Sequence, residues 1–194
     1  VGQSSIFSSL PLASNLARGI EASNGNAVVA MGNRGIGIVD TFLQTETYVN
    51  AHFGLPDARN ALDLSRAASA DHVMRYLVVA GEYDIANNRL LNSADGTSGG
   101  FYIVDYDANT GFNITGQLPI AASRVVNDGD YAYLAAGEGG LVVVDIRNPA
   151  QPQVVSRVTE AGFVRDIDVS NNVAYLALGS AGIATVDLTD KTQP

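Results

Sequence analysis

Two stretches of this chain, Tyr131–Asp145 (YAYLAAGEGGLVVVD) and Val173–Asp187 (VAYLALGSAGIATVD), align without a gap 42 residues apart. A third copy, Ala27–Asp40 (AVVAMGNRGIGIVD), keeps the same spacing between its two turn glycines, Gly32 and Gly35. A fourth is split: RYLVVAG at Arg75–Gly81 resumes as GFYIVD at Gly100–Asp105, with a 16-residue insertion between the halves. Self-similarity at a period of roughly 20–50 residues marks one supersecondary unit repeated, each unit unable to bury its apolar faces alone. Four such units take up nearly all of the 194 residues, and little is left for a separate domain.

Inside the unit the hydrophobic period is two, the signature of half-buried strands. Strand A shows at Val164–Ser170 (VRDIDVS) and is followed by Asn171-Asn172; Asn24-Gly25 and Asp128-Gly129 hold the same place in other copies. Such pairs tolerate positive φ and suit two-residue hairpins. Strand B follows, then the Gly-x-x-Gly turn, then strand C at Ile183–Asp187. Strand D shows at Gln153–Val158, after Asn148-Pro149 and Pro152 have ended strand C. A lone four-stranded meander has two faces to cover, and stacking such sheets around an axis covers both while leaving only short edges. The expected fold is therefore all-β: a β-propeller with four blades of four antiparallel strands, either a complete four-blade ring or part of a larger propeller. The repeats run approximately over 17–53, 59–119, 122–159 and 163–194. The last unit stops after a strand C, and the segment 5–10 occupies a strand D place, so it is expected to complete the last blade. A start at Val1 without an initiator Met reads as processing, or as a cut from something longer.

Charge and composition narrow the partners. Net charge is −9 and Lys191 is the only lysine; a phosphate backbone is repelled by such a surface, so nucleic acid is not expected. Cysteine is absent, which removes disulfides, thiolate metal sites and cysteine nucleophiles. No apolar run reaches the roughly 20 residues of a membrane helix. An acidic, lysine-poor, Gly/Asn/Ser/Thr-rich chain suits the bacterial or archaeal envelope, outside the cell or on its surface.

The run Leu141–Asp145 (LVVVD), with Ile146–Pro149 (IRNP) and Gln151-Pro152 after it, resembles the LVIVD-repeat family. Weaker versions are Gly35–Asp40 (GIGIVD), Phe101–Asp105 (FYIVD) and Ala184–Asp187 (ATVD). The first two copies lack the Asn-Pro linker, and the second carries the insertion. The resemblance implies a propeller of the kind found in surface or secreted proteins, and it brings no catalytic residues with it.

Three groups of residues are candidates for a site. An arginine recurs at the mouth of strand A, at Arg18, Arg124 and Arg165, and by a looser alignment at Arg59. Strand A lines the channel of a propeller, so these guanidinium groups could ring one rim and take a carboxylate or phosphate. The competing reading pairs each of them with a repeated acid (Asp40, Asp105, Asp145 or Asp187) as a lock between blades. The insertion, from Glu82 to Gly99, is expected as a long B–C loop on the same rim, with Glu82, Tyr83, Asp84 and Asp95 as ligand contacts, because long loops on rigid scaffolds often carry function. Asp105, Asp107 and Asn109 space three oxygens at alternate positions, as calcium loops do, although Gly111 comes one residue late for that pattern. The leading expectation is a non-enzymatic interaction or structural module presenting a propeller rim to a protein or glycan, or to itself. It needs no cofactor, with calcium the one ion considered. The alternatives are a hydrolase or lyase with its active site in the channel mouth, and a calcium-stabilised adhesive module.

Overall fold

The computed structural model describes residues 17–23, 26–40, 48–56, 61–67, 74–84, 89–91, 99–107, 109–159 and 161–194. Among the described residues, sixteen strands form four antiparallel sheets. Sheet one runs β1 (Ile20–Ser23), β2 (Asn26–Ala30), β3 (Ile36–Asp40), β4 (Tyr48–Phe53). Sheet two runs β5 (Ala61–Ala67), β6 (Met74–Asp84), β8 (Gly99–Asp107), β9 (Gly111–Leu118), with the short β7 (Arg89–Leu91) paired to the far end of β6. Sheet three runs β10 (Arg124–Asp128), β11 (Tyr131–Ala135), β12 (Leu141–Asp145), β13 (Gln153–Val158). Sheet four runs β14 (Asp166–Ser170), β15 (Val173–Ala177), β16 (Ile183–Asp187). Each sheet is an up-and-down meander, and the four form a propeller.

The hairpin and turn chemistry is where the sequence places it. Asn171 and Asn172 have φ of 53° and 60°, and Gly129 has 57°, so both A–B hairpins turn through left-handed backbone. In the Gly-x-x-Gly turns the first glycine serves a second purpose. Gly32 exchanges two backbone hydrogen bonds with Ala61, at 3.2 and 2.9 Å, and Gly137 does the same with Val164, at 3.1 and 2.9 Å. The B–C turn of one blade thus stitches the entry of strand A of the next. At the second glycine, a Cβ on Gly35 would stand 2.0 Å from the Phe53 carbonyl oxygen, and one on Gly140 would stand 2.1 Å from that of Val158. Only glycine leaves room for strand D to close on the turn.

Strand C carries a register shift at one motif position in three blades: between Ile38 and Val39, Ile103 and Val104, and Val143 and Val144. A bulge there strengthens the local twist, so the Ile-Val-Asp ending marks a bend shared by the blades.

Alternation along each strand sends one set of side chains to the preceding blade and the other to the following one. Val28, Ile36 and Ile38 of sheet one meet Leu64, Tyr76, Val78 and Tyr102 of sheet two. Leu77, Val79, Phe101 and Ile103 meet Val125, Leu134, Val142 and Val144. Tyr133, Leu141 and Val143 meet Ile167, Ala174, Leu176 and Leu188. The innermost strands lie side by side in order, with β5 against β1 and β10, and β10 against β14. Burying both faces of a sheet this way removes apolar area worth about 25 cal/mol per Å² from water, and it accounts for nearly continuous apolar runs such as Leu141–Val144 where a one-sided sheet would alternate.

One expectation changes here. The insertion is more than a loop on the rim: strand B continues through Glu82, Tyr83 and Asp84, which pair with Leu91, Leu90 and Arg89. Local propensity does not favour this extension, since Gly81, Glu82 and Asp84 are poor strand formers; the pairing with β7 gives its backbone groups their partners. Sheet four has three strands among the described residues, with β16 at its edge. The segment 5–10 expected to complete it lies outside the described residues, as do Arg59 and Asp95.

Candidate functional site: the channel mouth

The entries of the four inner strands converge on a cavity of about 550 Å³ lined by Arg18 of the first blade, Leu62 of the second, Ser123 and Arg124 of the third, and Arg165 and Asp166 of the fourth. Three of the four arginines singled out in the sequence therefore meet at one place. They do not occupy one structural position. The backbone N–H groups of Arg18, Ser123 and Arg165 donate to the carbonyls of Ala30, Ala135 and Ala177, respectively, so Arg18 and Arg165 are equivalent and the third blade has a serine there. Arg124 is one residue further on. It stands opposite Ala135, as Asp166 stands opposite Ala177 and Asp63 opposite Val79.

That one-residue difference divides the mouth into two kinds of position. At the inner one, Asp63, Arg124 and Asp166 form a line across three blades. Arg124 Nη1 donates to Asp63 Oδ1 at 3.1 Å and Arg124 Nε donates to Asp166 Oδ1 at 3.0 Å. Asp63 is the one buried charged residue among the described residues, and its second oxygen accepts from the Val125 backbone N–H at 3.0 Å. Burial raises its carboxyl pKa above the usual 3.8, outweighing the Val125 hydrogen bond and the Arg124 charge, which lower it. In the first blade the corresponding place is Gly19, where a Cβ would stand 2.4 Å from Asp63 Oδ1 and 2.9 Å from its Cα. The backbone must pass close to Asp63 there, and a side chain would prevent it.

At the other position the arginines are uncommitted. Among the described residues neither Arg18 nor Arg165 forms an ion pair. Arg18 is exposed; Arg165 is half-buried, with its guanidinium carbon 5.3 Å from the Phe163 ring centroid and its Nε over Gly179. Ser123 Oγ donates to the Arg165 carbonyl at 2.7 Å, which ties the third and fourth blades at the mouth.

Among the described residues, the expected lock between these arginines and the repeated acids does not form at Asp105, Asp145 or Asp187. Each of these three acids acts within its own blade. Asp105 accepts from Arg75 Nε at 2.7 Å and Nη2 at 2.9 Å, and from Thr115 Oγ1 at 2.7 Å. Asp145 pairs with Arg147 two residues on, and Asp187 accepts from the Thr189 N–H and hydroxyl. The calcium candidates are likewise engaged separately. Asp107 Oδ1 takes the N–H groups of Asn109 and Thr110, at 2.8 and 3.1 Å, in an ordinary Asx turn, while Asp105 is held by Arg75.

Residues 121–160 and 161–194 each match the family model for the LVIVD repeat. The third and fourth blades thus match the LVIVD repeat. The first two blades share the meander and the bulge, and the first keeps the turn glycines Gly32 and Gly35; both lack the Asn-Pro linker, and in the second the insertion replaces the turn. Beyond this match, the chain is similar to a solved structure described as that of the computationally designed Ika4 protein. The identity is 13%, the TM-score 0.60, and the match covers 97% of this chain and 99% of that one. At that identity the likeness speaks for the fold alone. No curated protein matches the chain.

Proposed function

We propose that this chain is a non-enzymatic interaction module outside the cell, whose channel mouth takes a carboxylate presented by a uronic-acid-bearing glycan. The observation that carries the reading is the pair Arg18 and Arg165, which line one cavity and have no acid paired to them among the described residues, in a chain of net charge −9. Guanidinium forks match planar carboxylates, and a concave site focuses a local field against an opposite overall charge. The cavity volume lies within the roughly 300–1,000 Å³ of small-ligand sites, suited to a sugar ring and too small for a folded domain. The inner Asp63–Arg124–Asp166 line keeps the strand entries in place and leaves the outer pair free for the ligand.

The test is titration with glucuronate, and with glucose as the neutral counterpart, followed by calorimetry and amide chemical shifts. Glucuronate is expected to bind and shift the amides around Arg18 and Arg165, glucose is not, and replacing both arginines by alanine should weaken binding at least about ten-fold, the effect of losing one charged hydrogen bond or more. Equal binding of both sugars, or no loss in the double variant, overturns the reading. Binding of an acidic peptide in place of the sugar acid would identify a protein ligand instead and likewise overturn it.

A further inference from the structure

Arg18 and Arg165 hold the same register place at the mouth, yet their surroundings differ. Arg18 is exposed and makes no ring contact among the described residues. Arg165 is half-buried and lies against two features of its own blade. Its guanidinium carbon stands 5.3 Å from the centre of the Phe163 ring, inside the roughly 6 Å over which a ring face attracts a cation. Its side chain also passes over Gly179, where an added Cβ would stand 2.6 Å from Nε, 3.3 Å from Cδ and 3.4 Å from Cζ. Phe163 itself does not line the cavity, so it can reach a ligand there only through the arginine.

We propose that, given the carboxylate reading of the channel mouth on which this rests, Phe163 and Gly179 are positioning residues: they set the direction of the Arg165 guanidinium and leave its N–H donors to the ligand. The backbone fixes every part of that arrangement. The Thr159 carbonyl accepts from the Gly162 N–H at 3.0 Å, closing the turn that delivers Phe163, and Val164 on its other side exchanges two backbone hydrogen bonds with Gly137. The ring is thereby anchored on both flanks. The Arg165 N–H donates to the Ala177 carbonyl at 2.9 Å, on the strand that leads into the turn at Gly179, and that turn is closed by the Gly182 N–H on the Gly179 carbonyl at 3.1 Å. Both the root of the arginine and the surface under its side chain are therefore set before any ligand arrives.

The choice of a ring matters chemically. An acid at residue 163 would hold the guanidinium but also occupy its fork, as Asp63 and Asp166 do for Arg124. Phenylalanine has no oxygen to take an N–H, so a planar carboxylate still meets the bidentate edge. A side chain already placed also loses less rotamer freedom on binding. The other blades show the contrast. Two residues before Ser123, which holds the Arg165 place in the third blade, stands Ala121, and two before the exposed Arg18 stands Leu16. The ring accompanies the one arginine of this pair that is half-buried. At Gly179 the three nearest atoms all belong to the Arg165 side chain and none to the backbone, so a methyl there would move the arginine before it moved the blade.

The first measurement needs no ligand. In the free chain the order parameter of the Arg165 Nε–H group is expected near about 0.85, the value of a rigid backbone, and that of Arg18 below about 0.6. Phe163→Leu, which keeps apolar bulk and removes the π face, should lower the Arg165 value toward that of Arg18. Equal mobility of the two arginines in the wild type, or no change in the variant, overturns the proposal. The second measurement is calorimetric titration with glucuronate, at a temperature where melts show every variant folded. Phe163→Leu should weaken binding about two- to five-fold, the worth of a partly exposed cation–π contact. Phe163→Tyr should bind as the wild type does, and Gly179→Ala should weaken binding by displacing the fork. In an Arg165→Ala background Phe163→Leu should change nothing, because the ring acts only through the arginine, whereas a merely structural role would persist there. Binding that ignores Phe163→Leu, or an effect that survives Arg165→Ala, sinks this proposal and leaves the carboxylate reading standing. A wild type that binds no glucuronate sinks both.

Discussion

Asp63 links the second blade to the third through Arg124 and the Val125 N–H, and its removal tests what that link contributes. In Asp63→Ala the N–H of Val125, itself only 4% exposed, loses the Asp63 carboxylate oxygen to which it donates at 3.0 Å. An unsatisfied buried donor costs about 1–3 kcal/mol. Arg124 loses one partner but keeps Asp166, and with 44% of its side chain exposed that loss is worth about 0–1 kcal/mol. Against these stands the burial of the carboxylate, which the structure disfavours strongly enough to raise its pKa. The expected net loss is about 2 kcal/mol, inside the usual range for a broken buried hydrogen bond. Asp63→Asn keeps an oxygen for the Val125 N–H and should lose less than about 1 kcal/mol, the worth of the weakened Arg124 contact.

The assay is urea unfolding followed by far-ultraviolet circular dichroism, with hydrogen exchange read at the Val125 amide. Because the folded pKa of Asp63 lies above its unfolded value, its ionisation opposes folding. Its contribution is fully present below about pH 3.8, the unfolded value, and declines as pH rises through the folded one. The advantage of wild type over Asp63→Asn should therefore shrink over that window. An alanine variant within about 0.5 kcal/mol of wild type, the scatter of neutral surface changes, would refute the reasoning, as would an advantage that grows with pH.

Gly140→Ala should cost well over 2 kcal/mol, since the new methyl meets the Val158 carbonyl at 2.1 Å and the backbone must move. Gly111→Ala, at a similar φ of 80° but with nothing within 4 Å, should lose only about 1 kcal/mol, the backbone preference alone; urea midpoints for the pair separate crowding from conformation. Tyr133→Phe should leave stability unchanged or raise it by up to about 1 kcal/mol, because the hydroxyl is buried without a partner and burial pushes its pKa up to about 12; a thermal melt lower by several degrees would show an unseen partner. Asp105 is opposed by burial, but hydrogen bonds from Arg75 and Thr115 outweigh it and hold the carboxyl below 3.8. Asp105→Asn should therefore be less stable by about 1–3 kcal/mol at neutral pH, with the gap closing as pH falls from 3.8 through the lower folded value. Since Asp105 and Asp107 are separately engaged, calcium at about 1 mM, the weak extracellular range, should move the melting temperature by less than a degree, and a larger rise abolished by Asp107→Ala would restore the calcium site.

What the sequence made legible follows from what repeats. The turn glycines, the Asn171-Asn172 hairpin and the period-two strands are local requirements, each enforced by backbone geometry, so they could be read residue by residue. The bulge opposite the strand C motif was hidden, because its extra residue sits on strand D (Asn50, Thr115, Val155), where the copies share no residue type. The arginine alignment failed for a related reason. Arg18, Arg124 and Arg165 look equivalent in a string, but the register of β10 on β11 moves Arg124 one place along, and register is set by pairing across strands. The same limit kept Asp63 out of view. Nothing in Ala61–Ser65 distinguishes its acid until the Val125 N–H and Arg124 arrive from a blade 61 and 62 residues away.

That one-residue displacement also explains how a repeat can hold itself together and remain able to bind. Strand A offers two successive positions at the mouth. A charge at the inner one points along the blade series and finds its counterpart on a neighbour, as Arg124 does between Asp63 and Asp166. A charge at the outer one, as in Arg18 and Arg165, faces the cavity. If every blade carried arginine at the inner place, four like charges would crowd the narrow end of the wedge-shaped sheets and force them apart. Alternating acid and base there, with glycine in the first blade, turns the same crowding into attraction between sheets. The outer position carries no part of that charge balance, so arginine there can give way to serine, as in the third blade, where Ser123 donates to the Arg165 carbonyl instead. Substitutions at Arg18 or Arg165 should accordingly alter what the mouth attracts far more than they alter stability.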